Sequence, residues 1–333
     1  MALDPPVLAE VWRSDRIESL HRGHAVIAAP DGTVDVAWGN PDTLIYPRSA
    51  AKPLQALALV ESGAAEAAGL GPEELALACA SHNAADAHTD RVRAWLAAIG
   101  RGEADLLCGP QRPIDEAARE RLDADGLAPD QTHNNCSGKH TGFLTLSRHL
   151  GAGADYVDEA HPVQRAVRAA FEEMAGEESP GAGIDGCSAP NYACTLKGLA
   201  RAAAGMATPN GHPPSRANAA RALVAAMAAH PLLVAGEGRA CTTLMTAAAG
   251  RAVVKTGAEG VFLGILPETG QGIALKIEDG ATRAAEAVMA ALLVRCGILS
   301  PDDPAARARL AAPIENRRGI LTGHVRAAGV LLQ

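Results

Sequence analysis

A chain of 333 residues with 30 basic against 38 acidic side chains, 48% hydrophobic and 20% charged residues belongs among globular proteins and excludes long disorder, collagen-like repeats and coiled coil. The acidic balance, with three each of Phe, Tyr and Trp, provides neither the basic footprint nor the stacking surfaces that nucleic acid requires. The first residues lack the pattern of a secretory signal and no uninterrupted apolar stretch approaches ~18 residues, so no membrane association and a cytoplasmic location are expected.

In chain order, Val7-Leu8-Ala9-Glu10-Val11-Trp12, Ala25-Val26-Ile27-Ala28 and Thr33-Val34-Asp35-Val36-Ala37-Trp38 alternate as strands do, and Asp31-Gly32 marks a hairpin turn. From residue 49 to about 249 the pattern becomes helical, with Gly and Pro as punctuation: 50–62, 88–99, 139–149, 162–175, 196–204 and 215–229. Strand character returns at 252–255, 260–266 and 272–277, and 282–296 reads as a helix. These elements predict an α+β fold. An antiparallel sheet of N- and C-terminal strands (1–48 and 250–333) is flanked by helices, and a mostly helical lobe (49–249) completes one catalytic unit, 1–333, with a cleft between the lobes.

Cys79, Cys108, Cys136, Cys187, Cys194, Cys241 and Cys296 form an odd set without CxxC pairs, which reads as reduced thiols, most of them small core residues. No nucleotide motif survives inspection. The Gly-Ala-Gly strings at 151 and 181 lack a third spaced glycine, and Ser137-Gly138-Lys139-His140 has His where a phosphate loop needs Ser or Thr.

Only five of the 30 basic residues are lysines, Lys52, Lys139, Lys197, Lys255 and Lys276, so solubility rests on arginine and carboxylates. A compact, deprotonatable amine does chemistry that a guanidinium cannot, which draws attention to Ser49-Ala50-Ala51-Lys52 at a helix start. Residues three apart there share a face, placing an amine within reach of a serine hydroxyl. On this motif alone Ser49 reads first as an N-cap, with Lys52 solvated on the first turn and Pro53 tolerated beside it. Ser81-His82-Asn83 and Lys255-Thr256-Gly257 follow, so the order is SxxK, SxN, KTG, the signature set of serine β-lactamases and penicillin-binding proteins.

Whole segments narrow this. Pro47-Arg48-Ser49-Ala50-Ala51-Lys52-Pro53-Leu54-Gln55, Ser81-His82-Asn83, His133-Asn134-Asn135-Cys136-Ser137-Gly138-Lys139-His140-Thr141-Gly142, Asp185-Gly186-Cys187 and Lys255-Thr256-Gly257-Ala258-Glu259-Gly260 resemble the motifs of the class 3, rhizobial-type L-asparaginases, over residues 7 to about 298. That resemblance implies a serine β-lactamase- and glutaminase-like fold, a homodimer, and hydrolysis of L-asparagine to aspartate and ammonia. It implies two Ser-Lys pairs, Ser49 with Lys52 and Ser81 with Lys255, and one zinc ion held by Cys136, Lys139 and Cys187. Spacing alone does not suggest the zinc site, because an ammonium must first lose a proton to ligate. The helix-start position of Lys139 is expected to favour that loss.

Arg48, His140 and Asp185 are motif residues of the kinds that bind an α-carboxylate and an α-ammonium, although an outward ion pair, a core imidazole and a turn cap would use the same three. Cys241 lies in a segment resembling one near the family's site, where core packing explains it equally well. By analogy with the β-lactamase-like fold, the oxyanion is expected between the Ser49 N–H and an N–H just after Lys255. The sequence departs from the family where Ala84-Ala85 follow Ser81-His82-Asn83 in place of the common Gly-Glu, and where Ser188 follows Cys187 in place of glycine. A glutaminase or penicillin-type serine amidohydrolase shares the Ser-Lys chemistry, and a non-catalytic zinc-binding protein would need only the cysteines.

Overall fold

The computed structural model describes residues 4–332. Eight strands form one antiparallel sheet: β1 (Val7–Arg13), β2 (Arg16–Ala28), β3 (Val34–Trp38), β4 (Val253–Thr256), β5 (Val261–Leu266), β6 (Gln271–Ile277), β7 (Ala311–Glu315) and β8 (Leu321–Ala327). Their order across the sheet is β7-β8-β1-β2-β6-β5-β4, with β3 paired to β2. The chain is thus α+β with N- and C-terminal strands interleaved, as the patterning predicts. The final hairpin, β7–β8, went unread in the sequence because Ala311-Ala312-Pro313-Ile314-Glu315 is half apolar and mostly exposed. Its order comes from pairing β8 against β1, with Val325 opposite Val11.

Contacts divide the chain into two compact units. The first comprises the chain up to Ala50, Cys194–Thr208 and everything from Thr243 onward. Here the sheet is covered on both faces, which explains why β5 is a continuous buried apolar run and not an alternating one. The helix Leu196–Ala207 approaches so closely that a Cβ on Gly272 would stand 2.2 Å from Ala200 O. Gly264 pairs with Ile273, the neighbour of Gly272 in β6, and so faces the other way, toward Met289 of the helix Thr282–Arg295. Small residues on the Ala-rich helix permit this separation.

The second unit, Ala51–Ala193 with Pro209–Thr242, is mostly helical. Its centre is the helix Ser137–His149, buried from Ser137 through Ser147. Gly138 lies against the end of the helix Pro72–Ala78, where an added Cβ would meet Leu77 O at 2.4 Å, and Gly142 packs beside Leu59 and Trp95. The helix expected over 50–62 is segmented into a 3-10 turn, Arg48–Ala51, and two short helices, Lys52–Gln55 and Leu57–Glu61. Among the described residues no helix is long and apolar enough to cross a membrane.

Candidate active site

The SxxK segment begins in a 3-10 turn, where residues three apart eclipse one another more closely than in an α-helix. Arg48 enters that turn at φ +52°, a left-handed conformation unusual for a side chain of this size. Arg48 and Ser49 are half-buried, whereas Lys52 is fully buried at 0% exposure. In the first unit, the Lys255-Thr256-Gly257 end of β4 packs against the same segment: a Cβ on Gly257 would lie 2.7 Å from Pro47 O and 3.2 Å from Ala50 N. Only glycine lets two backbones approach this closely. Lys255, also buried, donates to Thr256 O at 2.8 Å. The Gly257 N–H is engaged by Val261 O at 2.7 Å, so of the amides after Lys255 this one is already taken.

In the second unit, Lys52 Nζ lies 2.9 Å from Ser81 Oγ, donates to Ala80 O and reaches Asn135 O at 3.4 Å. Ser81, which the resemblance pairs with Lys255, makes this hydrogen bond to Lys52 within its own unit. The Ser81 backbone N–H donates to Val234 O, and Asn83 O accepts from the amides of Ile114 and Asp115, which holds the 80–85 segment from several sides. Neither backbone acceptor of Lys52 was identified from the sequence. Asn135 stood in a conspicuous motif, but its role is that of a carbonyl, which side-chain chemistry does not reveal.

Cys136, Lys139 and Cys187 come together, all at or below 4% exposure, with Lys139 Nζ 3.1 Å from Cys187 Sγ. The hydrogen bond from Cys136 stabilises the Cys187 thiolate, and Lys139 adds to the effect; together they outweigh burial and hold Cys187 at about 4. Cys136 is correspondingly pushed up to about 12 by the same hydrogen bond and by burial. Burial disfavours the Lys139 ammonium, yet the sulfurs of Cys187 and Cys136 overcome this and raise it above its ordinary value. The lowering expected from its place at the helix start is not what the site gives, since the net direction is upward. Two sulfurs and one amine form a donor set that suits zinc once the retained protons leave. Among the described residues no group of three or more His, Cys, Asp or Glu is arranged to hold a metal.

His140, at 0% exposure, is one turn into the same helix. Tyr156 Oη accepts the Leu107 N–H at 2.7 Å and lies 3.0 Å from His140 Nδ1. With its own proton donated to Nδ1, Tyr156 fixes the tautomer that carries hydrogen on Nε2. Burial, then Lys139, keeps this imidazole neutral by lowering its pKa well below the usual value. Among the described residues Nε2 has no hydrogen-bond partner, which leaves an unused donor in the interior. Asp185 caps its own turn, accepting from Gly186 N at 2.8 Å, and its carboxylate acts electrostatically on Lys139. Cys241 is buried in the helix Ala240–Ala248.

The family model for L-asparaginase II matches residues 9–327. The chain belongs to the L-asparaginase II family, whose members are hydrolases acting on amides. No curated protein matches it. Among solved structures, Mglu in its native form is 17% identical with a TM-score of 0.47, the match covering 85% of this chain and 66% of that one. Mglu in its tris and glutamate form is 17% identical at a TM-score of 0.48, over 89% and 64%. A β-lactamase from Mycobacterium bovis is 15% identical at a TM-score of 0.46, over 82% and 94%. The chain thus spans 64% to 66% of the length of these Mglu chains.

Proposed function

We propose that this protein hydrolyses the side-chain amide of L-asparagine through an acyl-enzyme formed by a Ser-Lys pair. The observation that carries the reading is Lys52 Nζ at 2.9 Å from Ser81 Oγ, in a chain whose family acts on amides. A fully buried lysine bonded to a serine hydroxyl is a base held ready for proton transfer.

In this reading the Ser49 proton passes to Lys52 as Oγ bonds to the amide carbon. The tetrahedral adduct collapses with cleavage of the C–N bond, and the proton held by Lys52 leaves with ammonia, Ser81 serving as relay. Water then cleaves the β-aspartyl ester by the same proton path, releasing aspartate. Lys255, on the strand end packed against Pro47–Ala50, supplies a second amine. Arg48 takes the α-carboxylate, Asp185 the α-ammonium, and the unused His140 Nε2–H a substrate oxygen. Cys136, Lys139 and Cys187 would hold one zinc ion, which supplies Lewis-acid charge for positioning an anionic or carbonyl oxygen. A homodimer working in the cytoplasm completes the reading.

The test is ammonia release from L-asparagine and L-glutamine by wild type, Ser49→Ala and Ser81→Ala, with and without chelator. Asparagine-selective turnover that disappears in Ser49→Ala is the expected result. Preference for glutamine would move the substrate assignment, and no ammonia from either amide would end it.

A further inference from the structure

His82 is buried at 0% exposure beside Ser81, and both of its ring nitrogens are assigned by their partners. Nε2 lies 2.9 Å from Ser137 Oγ, and that hydroxyl gives its single proton to Thr132 O at 2.9 Å, so it accepts from His82. Nδ1 accepts the Ala84 N–H at 3.2 Å. The imidazole is therefore a neutral Nε2–H tautomer with its lone pair occupied, and it has no capacity left to act as a base.

What the ring does is mechanical. Its backbone N–H donates to Asn135 O at 3.3 Å, the same oxygen that Lys52 Nζ approaches at 3.4 Å. Ala84, two residues on, holds φ +65° without being glycine, a conformation that persists only where surroundings over-determine it. The Nδ1 contact to Ala84 N is one of those determinants.

We infer that His82 is a positioning residue: through Ser137 it fastens the 80–85 segment to the start of the helix Ser137–His149, and thereby sets the Ser81 hydroxyl against Lys52. The inference rests on the Ser-Lys reading above and adds to it a residue that touches neither substrate nor reacting atoms. Removing the ring's donor loosens the serine without altering the substrate contacts, so turnover falls while KM holds.

The test compares wild type, His82→Leu, Ser137→Ala, the double variant and His82→Gln, whose Nε2 can reach Ser137 as the ring nitrogen does. Two readouts are taken: the rate of serine labelling by a fluorophosphonate, followed by intact mass, and kcat with KM for ammonia release from L-asparagine. His82→Leu and Ser137→Ala are each expected to slow labelling and kcat on the order of tenfold to a hundredfold with KM little changed. The double variant should be no worse than either single, because both cut one connection, and His82→Gln should recover most of the rate. Should His82→Leu fail to fold, Ser137→Ala and His82→Gln still decide the matter. Wild-type labelling rates in both folded variants, or losses that simply add, overturn the inference. Labelling that follows the expected order while no variant releases ammonia would leave the positioning role standing and remove the substrate reading. A wild type that does not label overturns both.

Discussion

Lys52 Nζ is hydrogen-bonded to Ser81 Oγ at 2.9 Å and is surrounded otherwise by two carbonyl oxygens, those of Ala80 and Asn135. A neutral amine has two N–H groups and one lone pair. With the two protons directed at the carbonyls, the lone pair faces the serine hydroxyl; as an ammonium the same nitrogen donates to all three. The proposed proton transfer uses both of these arrangements in turn.

A guanidinium cannot shuttle in this way, because it stays protonated. Lys52→Arg is expected to lower kcat by about a thousandfold or more, as Lys52→Ala does. Steady-state ammonia release checks it; an arginine variant within tenfold of wild type would remove Lys52 as the base.

The unused His140 Nε2–H predicts a binding contribution. His140→Phe keeps the ring volume and deletes the donor, and KM for L-asparagine should rise by about ten- to a hundredfold, the equivalent of one buried hydrogen bond. An unchanged KM would assign this imidazole to the core alone.

His82, His88 and His140 all have pKa values lowered from 6.5, chiefly by burial, so the folded protein keeps these imidazoles neutral while the unfolded chain protonates them. A lowered folded value means their contribution is present above the unfolded pKa and is lost as pH falls below it. Urea midpoints should therefore drop between pH 7 and pH 5, on the order of the ordinary histidine range. In His140→Phe the pH dependence should be shallower by about one proton. A wild-type slope that this substitution does not alter contradicts the assignment.

Zinc binding should release protons in a defined number. Cys187 already favours the thiolate, whereas Cys136 and Lys139 hold theirs. Calorimetric titration at neutral pH in buffers of different ionisation enthalpy should give about two protons per zinc, and about one in Lys139→Met. Equal release by the two proteins would exclude Lys139 as a ligand.

Ala84 at φ +65° and Ser188 at φ +68° stand in left-handed backbone where the family commonly has glycine. Ala84→Gly and Ser188→Gly are each expected to stabilise the fold by about 0.5–1 kcal/mol in urea denaturation, strain relief exceeding the added freedom of the unfolded chain. A loss of stability in either would mean that its side chain contributes more than the strain costs.

Much of this molecule was legible beforehand, for reasons that differ by element. The helix Pro162–Ala175 and the buried strand Val261–Leu266 were found because periodicity and continuous apolarity report burial directly. The β7–β8 hairpin escaped because an edge strand carrying Pro313 has little apolar signal of its own. Ser49, Lys52, Ser81 and Lys255 stood out by residue type and order, and the cysteines through motif resemblance. His82 was visible as a letter inside Ser81-His82-Asn83, but its task depends on Ser137, fifty-five positions away.

Residue identity and local spacing determined the alternating and helical elements, the family, and the supply of nucleophiles and amines, since these are properties of short stretches of chain. Tertiary structure alone decided that Lys52 reaches Ser81 and leans on the carbonyls of Ala80 and Asn135, that His140 Nε2 is buried without a hydrogen-bond partner among the described residues, and that Lys139 meets Cys187. Those outcomes depend on angstrom-scale distances and on removal from water, and both are set only when segments far apart in the chain pack together.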